Sequence, residues 1–302
     1  MSLALLDMSR NSQEFLCEAL RAFARSSLQS RAFLSVHDCC PSVFMDQKKL
    51  TILPLGDSIT DGGSQLRAYR FHLHALLAAE HHVNARWVGS MRGVYDRQHG
   101  ANASHGVHVG AADWPVETQR HEGHWGWTAG QILRGHERQP QRGSLPAWLR
   151  GLSGEDGDSP PVGVVTLHLG TNDLTKRVLK EGARVSAVAR ELRGIVRQLC
   201  RTLPRALVLL ATLIPFCRFP PTSPMLAPRR IVEREYHSYV RALCDRPPSA
   251  ACTRPRVICV NQSTLRCDEL VDGVHPSPRG AEHMARNWLR ALRPHIPHMI
   301  AF

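Results

Sequence analysis

The chain reads as an α/β protein built on a parallel sheet, and three observations carry that reading. Apolar runs of strand length alternate with amphipathic runs of helix length, the pattern of strand–helix–strand units. Several of the apolar runs break off into Gly and polar residues, as strands do where an open sheet forms its ligand crevice. With 302 residues, 43 % of them hydrophobic, the chain can supply the core of one such domain with additions.

Residues 1–48 precede the alternating pattern and read as an N-terminal appendage. Phe15, Leu16, Ala19, Leu20 and Phe23 recur at helical spacing, which predicts an amphipathic helix over residues 13–24. Asp7, Glu14 and Glu18 argue against an organelle presequence. The patch before Asp7 lacks the basic start of a secretory signal. A cytoplasmic place is the default expectation, with secretion left open for an atypical N-terminus.

From residue 49 onward, strands are predicted at 50–55, 85–89, 162–169, 206–213 and 256–261. Helices are predicted near 66–80, 181–201, 230–244 and 279–292. In the second of these, Val185, Val188, Leu192, Ile195 and Leu199 share one face, so that face should be buried. Residues 153–161, rich in Gly, Asp, Ser and Pro, read as a loop entering the third strand. Residues 215–228 read as a long loop leaving the fourth. The longest apolar run, Ala206 to Ile214, is far shorter than the roughly 20 residues that span a bilayer, so no transmembrane helix is expected.

Nine cysteines without a CxxC pair argue against a zinc knuckle or a thioredoxin-like site. Cys217, Cys244, Cys252, Cys259 and Cys267 crowd the C-terminal part as bridged cysteines do. The odd count and the missing signal favour free, mostly buried thiols. The net charge of +12 comes from 38 basic residues, only four of them Lys, with the Arg scattered through helices and loops. That is a composition bias, not a binding stripe. It predicts weak, salt-sensitive adhesion to polyanions rather than specific nucleic-acid binding. His99, His105, His108, His121 and His124 match no helical ligand pair and read as solvated loop residues, so neither a metal nor another cofactor is expected.

Four strand ends carry the chemistry. Ile52–Leu55 runs into Gly56-Asp57-Ser58, which puts the Ser58 hydroxyl at the carboxyl end of a strand; the bland alternative is Ser58 capping a helix. Asp272-Gly273-Val274-His275 places a carboxylate three residues before an imidazole, so one turn brings base and orienting acid together; an ordinary Asp-Gly turn is the alternative. Val164–Leu169 ends in Gly170-Thr171-Asn172-Asp173, where the Asn172 amide can donate to a developing oxyanion or merely cap the next helix. His121-Glu122-Gly123-His124-Trp125-Gly126-Trp127 offers a Gly126 N–H to a ligand. Of its two Trp residues, one is expected to pack and one to line the site.

These four blocks resemble those of the SGNH (GDSL-type) hydrolases over roughly residues 50–293. Leu53-Pro54-Leu55-Gly56-Asp57-Ser58-Ile59-Thr60, Tyr69-Arg70, Trp87-Val88-Gly89-Ser90 and Glu122–Gly126 look most like the branch of acetyl xylan esterases, carbohydrate esterase family three. The resemblance implies a flavodoxin-like three-layer α/β/α sandwich with a five-stranded parallel sheet, occupying residues 49–302. It implies ester hydrolysis through an acyl-enzyme, with Ser58 as nucleophile, His275 as base and Asp272 as its orienting carboxylate. Ser58, Gly126 and Asn172 would form the oxyanion hole, and the substrate would be a small-molecule or carbohydrate ester, most simply an O-acetyl ester. Position 59 is Ile where the family is named for Leu, and residues 96–121 read as a loop insertion that reshapes the substrate pocket. Lysophospholipase, thioesterase and acyltransferase chemistry share this geometry. A carbohydrate-binding module without turnover is the reading from another class. Oligomeric state has no signature in the sequence.

Overall fold

The computed structural model describes residues 48–62, 68–93, 119–152, 161–248, 252 and 256–299. The five expected strands form the body of the sheet: β1 (Lys48–Gly56), β2 (Val83–Trp87), β5 (Val164–His168), β6 (Leu207–Ala211) and β7 (Val257–Val260). All pair in parallel, in the order β2-β1-β5-β6-β7. β1 therefore lies inside the sheet, with the chain winding outward from it in both directions. That reversal of strand order is where an open α/β sheet leaves a crevice at its carboxyl edge.

Among the described residues the sheet has seven strands rather than five. The additions are β3 (Met91–Arg92) and β4 (Arg120–Gly123), which pair antiparallel with each other. β4 also runs parallel beside the last two residues of β1, Leu55 with Glu122 and Gly56 with Gly123. At two and four residues, with Arg and His among them, neither shows an apolar alternation that a periodicity reading detects. Arg120 and His121 thus belong to the sheet and not to the expected insertion, whose residues 96–118 lie outside the described residues. So do the predicted appendage helix and the loop at residues 153–160.

Strand alternation sends apolar side chains to both faces. Leu50, Ile52, Val164, Leu207 and Leu209 join one core with α2 (Tyr69–His81) and α7 (Pro278–Leu292). Leu53, Leu55, Val165, Leu167, Val208 and Leu210 join the other, with α3 (Ala129–Arg134), α4 (Leu145–Arg150), α5 (Val185–Thr202) and α6 (Leu226–Asp245). The result is the expected three-layer sandwich. On α5 the five residues predicted to share a face are all buried. Helix α6 begins at Leu226, so Pro228 lies in its first turn, where a missing N–H costs no helical bond. No helix among the described residues is long and apolar enough to cross a membrane.

The expectation of free thiols is overturned for six of the nine cysteines: Cys200–Cys252, Cys217–Cys267 and Cys244–Cys259 are disulfides, while Cys17, Cys39 and Cys40 lie outside the described residues. The topology makes the pairs. As β7 lies next to β6 and α5 and α6 pack on that side of the sheet, residues separated by 52, 50 and 15 positions come to Cα distances of 5.3, 5.6 and 5.6 Å. No local spacing encodes that proximity. Closing a loop of this size restricts the unfolded chain, so Cys200→Ala with Cys252→Ala should lose about 4 kcal/mol and Cys244→Ala with Cys259→Ala about 3 kcal/mol. Urea unfolding of each double variant checks this; a variant as stable as the native chain would mean its thiols are unpaired.

Candidate active site

The carboxyl end of β1 enters α1 (Ser58–Asp61) without a linker, and Asp57, not Ser58, caps it: the Asp57 Oδ1 accepts the Ile59 N–H at 3.0 Å. This leaves the Ser58 hydroxyl free of the capping role. Its oxygen lies 3.0 Å from the Nε2 of His275, 217 residues further along the chain.

The His275 loop organises itself around Asp272. One carboxylate oxygen accepts the backbone N–H groups of Val274 and His275, at 3.0 and 2.8 Å. The other takes the imidazole Nδ1–H at 2.9 Å. Because a carboxylate only accepts, this fixes the tautomer: Nδ1 carries the proton, and Nε2 is left to accept from the Ser58 hydroxyl. Partial burial pushes the Asp272 carboxyl up, but the bonds from His275 and Val274 outweigh it and hold the group below its ordinary range. Gly273 makes the turn possible, with φ +75° and the backbone of Cys217–Arg218 so close that a Cβ would lie 2.7 Å from the Arg218 nitrogen. The Cys217 N–H donates to the Gly273 carbonyl at 2.7 Å, and Cys217 is bridged to Cys267 just upstream of this loop.

The Gly126 segment docks beside β1 through the His124 N–H, which donates to the Gly56 carbonyl at 3.0 Å. Trp125 lies flat on the His275 imidazole, ring centroids 4.8 Å apart, and is partly exposed. Trp127 is buried in the core, so Trp125 is the lining residue and Trp127 the packing one. The reading of His121 and His124 as solvated is wrong. His124 is sandwiched between Trp127 and Trp148, at 4.4 and 4.5 Å, and bonds Glu122 at 3.0 Å. His121 is fully buried; its Nδ1 accepts the Gly123 N–H and its Nε2 donates to the Gly93 carbonyl. His99, His105 and His108 lie outside the described residues, and no cluster of metal-ligating side chains occurs among those described.

The Asn172 block faces this segment from β5. Asn172 caps nothing; its amide donates to the Trp127 carbonyl at 3.0 Å. The buried Asp173 carboxylate accepts the Ala129 N–H at 2.9 Å, and the Lys176 ammonium donates to the Gly126 carbonyl at 2.7 Å. Asn172, Asp173 and Lys176 are thus all bonded to the backbone of residues 126–129. Lys176 was missed in the sequence, although it is one of only four lysines and stands four residues after Asn172.

Beneath the site, the Arg70 guanidinium is wholly buried. It donates to the carbonyls of Thr60, Gln119, Asp61 and Gly93 at 2.8–2.9 Å. Burial lowers its pKa to about 10, which leaves it charged at neutral pH. Asp57 is also fully buried. Burial raises its carboxyl to about 7 against the pull of the Ile59 N–H, and Asp173 pushes the same way. The native state therefore keeps a proton that the unfolded chain releases near pH 4, and this contribution to stability is lost as pH rises toward 7. Asp57→Asn keeps the capping acceptor and removes the titration. Between pH 5 and pH 8 it should gain on the native chain by about 2–3 kcal/mol in urea unfolding, a comparison in which titrations not coupled to Asp57 cancel. Equal pH dependence of the two chains would place Asp57 in its ordinary range.

Solved structures with the same fold include a family 3 carbohydrate esterase from Clostridium thermocellum, 21 % identical, with 84 % of this chain and 100 % of that one aligned at a TM-score of 0.56. A family 3 carbohydrate esterase from Talaromyces cellulolyticus is 19 % identical over 82 % and 99 %, at 0.56. An acetyl esterase mutant with an acetate ion is 18 % identical over 82 % and 99 %, at 0.57. No curated protein matches. Residues 55–283 match the GDSL-like lipase/acylhydrolase family, and the chain, a hydrolase by this match, belongs to that family.

Proposed function

We propose that the chain is a serine esterase that works through an acyl-enzyme, with Ser58 as nucleophile, His275 as general base and Asp272 as the carboxylate that orients it. The observation that carries the reading is the chain of bonds from Ser58 Oγ to His275 Nε2 and from His275 Nδ1 to Asp272, at 3.0 and 2.9 Å. His275 takes the Ser58 proton as Oγ attacks the ester carbonyl. The tetrahedral intermediate then expels the alcohol, which leaves with that proton. Water attacks the acyl group with His275 again as base, releasing the acid and restoring Ser58.

The backbone N–H groups of Ser58 and Gly126 and the Asn172 amide receive the oxyanion. Asn172 supports this part by its geometry. An amide carries two N–H bonds, and the one bonded to the Trp127 carbonyl fixes the side chain while the second remains to donate. The reading for substrate is an O-acetyl ester on a carbohydrate. It is supported by the likeness of fold to family 3 carbohydrate esterases and an acetyl esterase, and by the partly exposed Trp125 ring beside His275, a flat apolar surface of the kind a sugar ring packs on.

Ser58→Ala should abolish both turnover of p-nitrophenyl acetate and labelling by a fluorophosphonate probe. Undiminished labelling of that variant would move the nucleophile elsewhere. Asn172→Ala should keep labelling but lose about a hundredfold or more in kcat; an unchanged kcat would remove Asn172 from the oxyanion site. Across p-nitrophenyl esters from acetyl to palmitoyl, kcat/KM should fall with chain length, and acetylated xylan should release acetate. A preference for long chains would favour the lysophospholipase or thioesterase reading.

A further inference from the structure

We infer that Lys176 is a positioning residue for the oxyanion site: its ammonium holds the Gly126 carbonyl, and with it the Gly126–Trp127 peptide, so that the glycine whose N–H faces the oxyanion is restrained on its carbonyl side. This rests on the esterase reading above.

Gly126 sits at φ +78°, in the left-handed region, where a glycine keeps wide rotational freedom. A donor on that backbone is useful in catalysis only if its direction is set before charge develops on the substrate. Part of the hold is the turn itself, in which the Trp127 N–H donates to the His124 carbonyl at 3.2 Å. The side chains of Asn172 and of two residues in the turn that follows it brace the rest of the stretch. Asn172 holds the Trp127 carbonyl, Asp173 holds the Ala129 N–H, and Lys176 holds the Gly126 carbonyl at 2.7 Å.

The turn that follows Asn172 and carries the other two, Asp173–Val178, is wound as a π-helix, in which the Leu179 N–H reaches back five residues to the Leu174 carbonyl. Such wide turns recur at functional sites. Lys176 is exposed, so its stem is not held by packing and its bond to one carbonyl adds little to stability. The effect expected of it is on rate. An ammonium suits a single carbonyl better than the forked guanidinium that supplies 34 of the 38 basic residues of this chain. Its charge also reaches the turn of the nucleophile, where it opposes the rise in the Asp57 carboxyl. A positive charge there favours the negative charge of the tetrahedral intermediate over the neutral ester, which lowers the barrier without tightening substrate binding.

The test measures kcat, KM and thermal midpoint on p-nitrophenyl acetate for the full chain and for Lys176→Met, Lys176→Arg, Lys180→Met and Ser58→Ala. Lys176→Met should lose roughly tenfold in kcat with KM within about twofold of native and a midpoint within about 2 °C. Lys176→Arg should recover part of the loss, and Lys180→Met, an equal change of charge one turn away, should lose nothing. The inference is overturned if Lys176→Met keeps its kcat, if its loss lies in KM alone, or if Lys180→Met loses as much. It is also overturned if the midpoint falls with kcat and Lys176→Arg restores neither. An inactive native chain indistinguishable from Ser58→Ala overturns the esterase reading and this inference with it. An active native chain, a dead Ser58→Ala and an unimpaired Lys176→Met overturn the role of Lys176 alone.

Discussion

One buried cation sets the frame for everything at the carboxyl edge of the sheet. A guanidinium removed from water loses several kcal/mol of solvation unless charge-assisted bonds replace it. Among the described residues Arg70 finds four to backbone carbonyls: two from the helical turn that follows Ser58, one from the exit of β3 and one from the entry to β4. Carbonyls cannot rotate away as side chains can. The arrangement holds three separate stretches of chain at fixed distances with a residue from a fourth, α2. Its position inside the fold also explains why Tyr69 and Arg70 stand together: Tyr69 packs on Trp288 of α7 and bonds Thr166 of β5, which seats the helix that delivers the guanidinium.

Above that frame, the two halves of the site are built by different means. On the His275 side, the loop is shaped from within, by Asp272 bonding its own backbone, and clamped from outside by the chain at Cys217. On the Gly126 side the backbone has one internal bond, from the Trp127 N–H to the His124 carbonyl, and one to β1 at Gly56, and is otherwise braced by side chains from Asn172 and the turn after it. Trp125 joins the two, belonging to one segment and stacked on the imidazole of the other. A disturbance of either half therefore reaches His275.

The parts of this structure that were legible in the sequence are those governed by short-range pattern. Apolar runs located all five main strands, and the Val185–Leu199 face located a buried helix side, because burial on a regular element repeats at a fixed period. The Asp272–His275 pairing was legible because three residues and one glycine suffice to close it. What escaped depends on contacts between distant stretches. β3 and β4 are too short to show a period, and they exist because each finds a neighbour in space. The disulfides follow from how β7 and its flanks meet β6, α5 and α6 in space. His121 and His124 look like loop histidines in sequence, and only the surrounding aromatic rings, carboxylate and carbonyls show that each is buried in the wall of the site. Lys176 carries no motif; its partner is a carbonyl 50 positions earlier.

The small antiparallel pair β3–β4 has an architectural consequence. Chain leaves it after Gly93 and returns to it at Gln119, and at that neck the Gly93 N–H donates to the Gln119 carbonyl at 3.3 Å while Arg70 grips both residues. Whatever lies between them departs and arrives through one sealed doorway, so its length does not register on the sheet. The entropy of closing a loop rises only with the logarithm of its length. A change in the number of residues between Gly93 and Gln119 would therefore cost the sheet little, because the neck that Arg70 grips would stay the same.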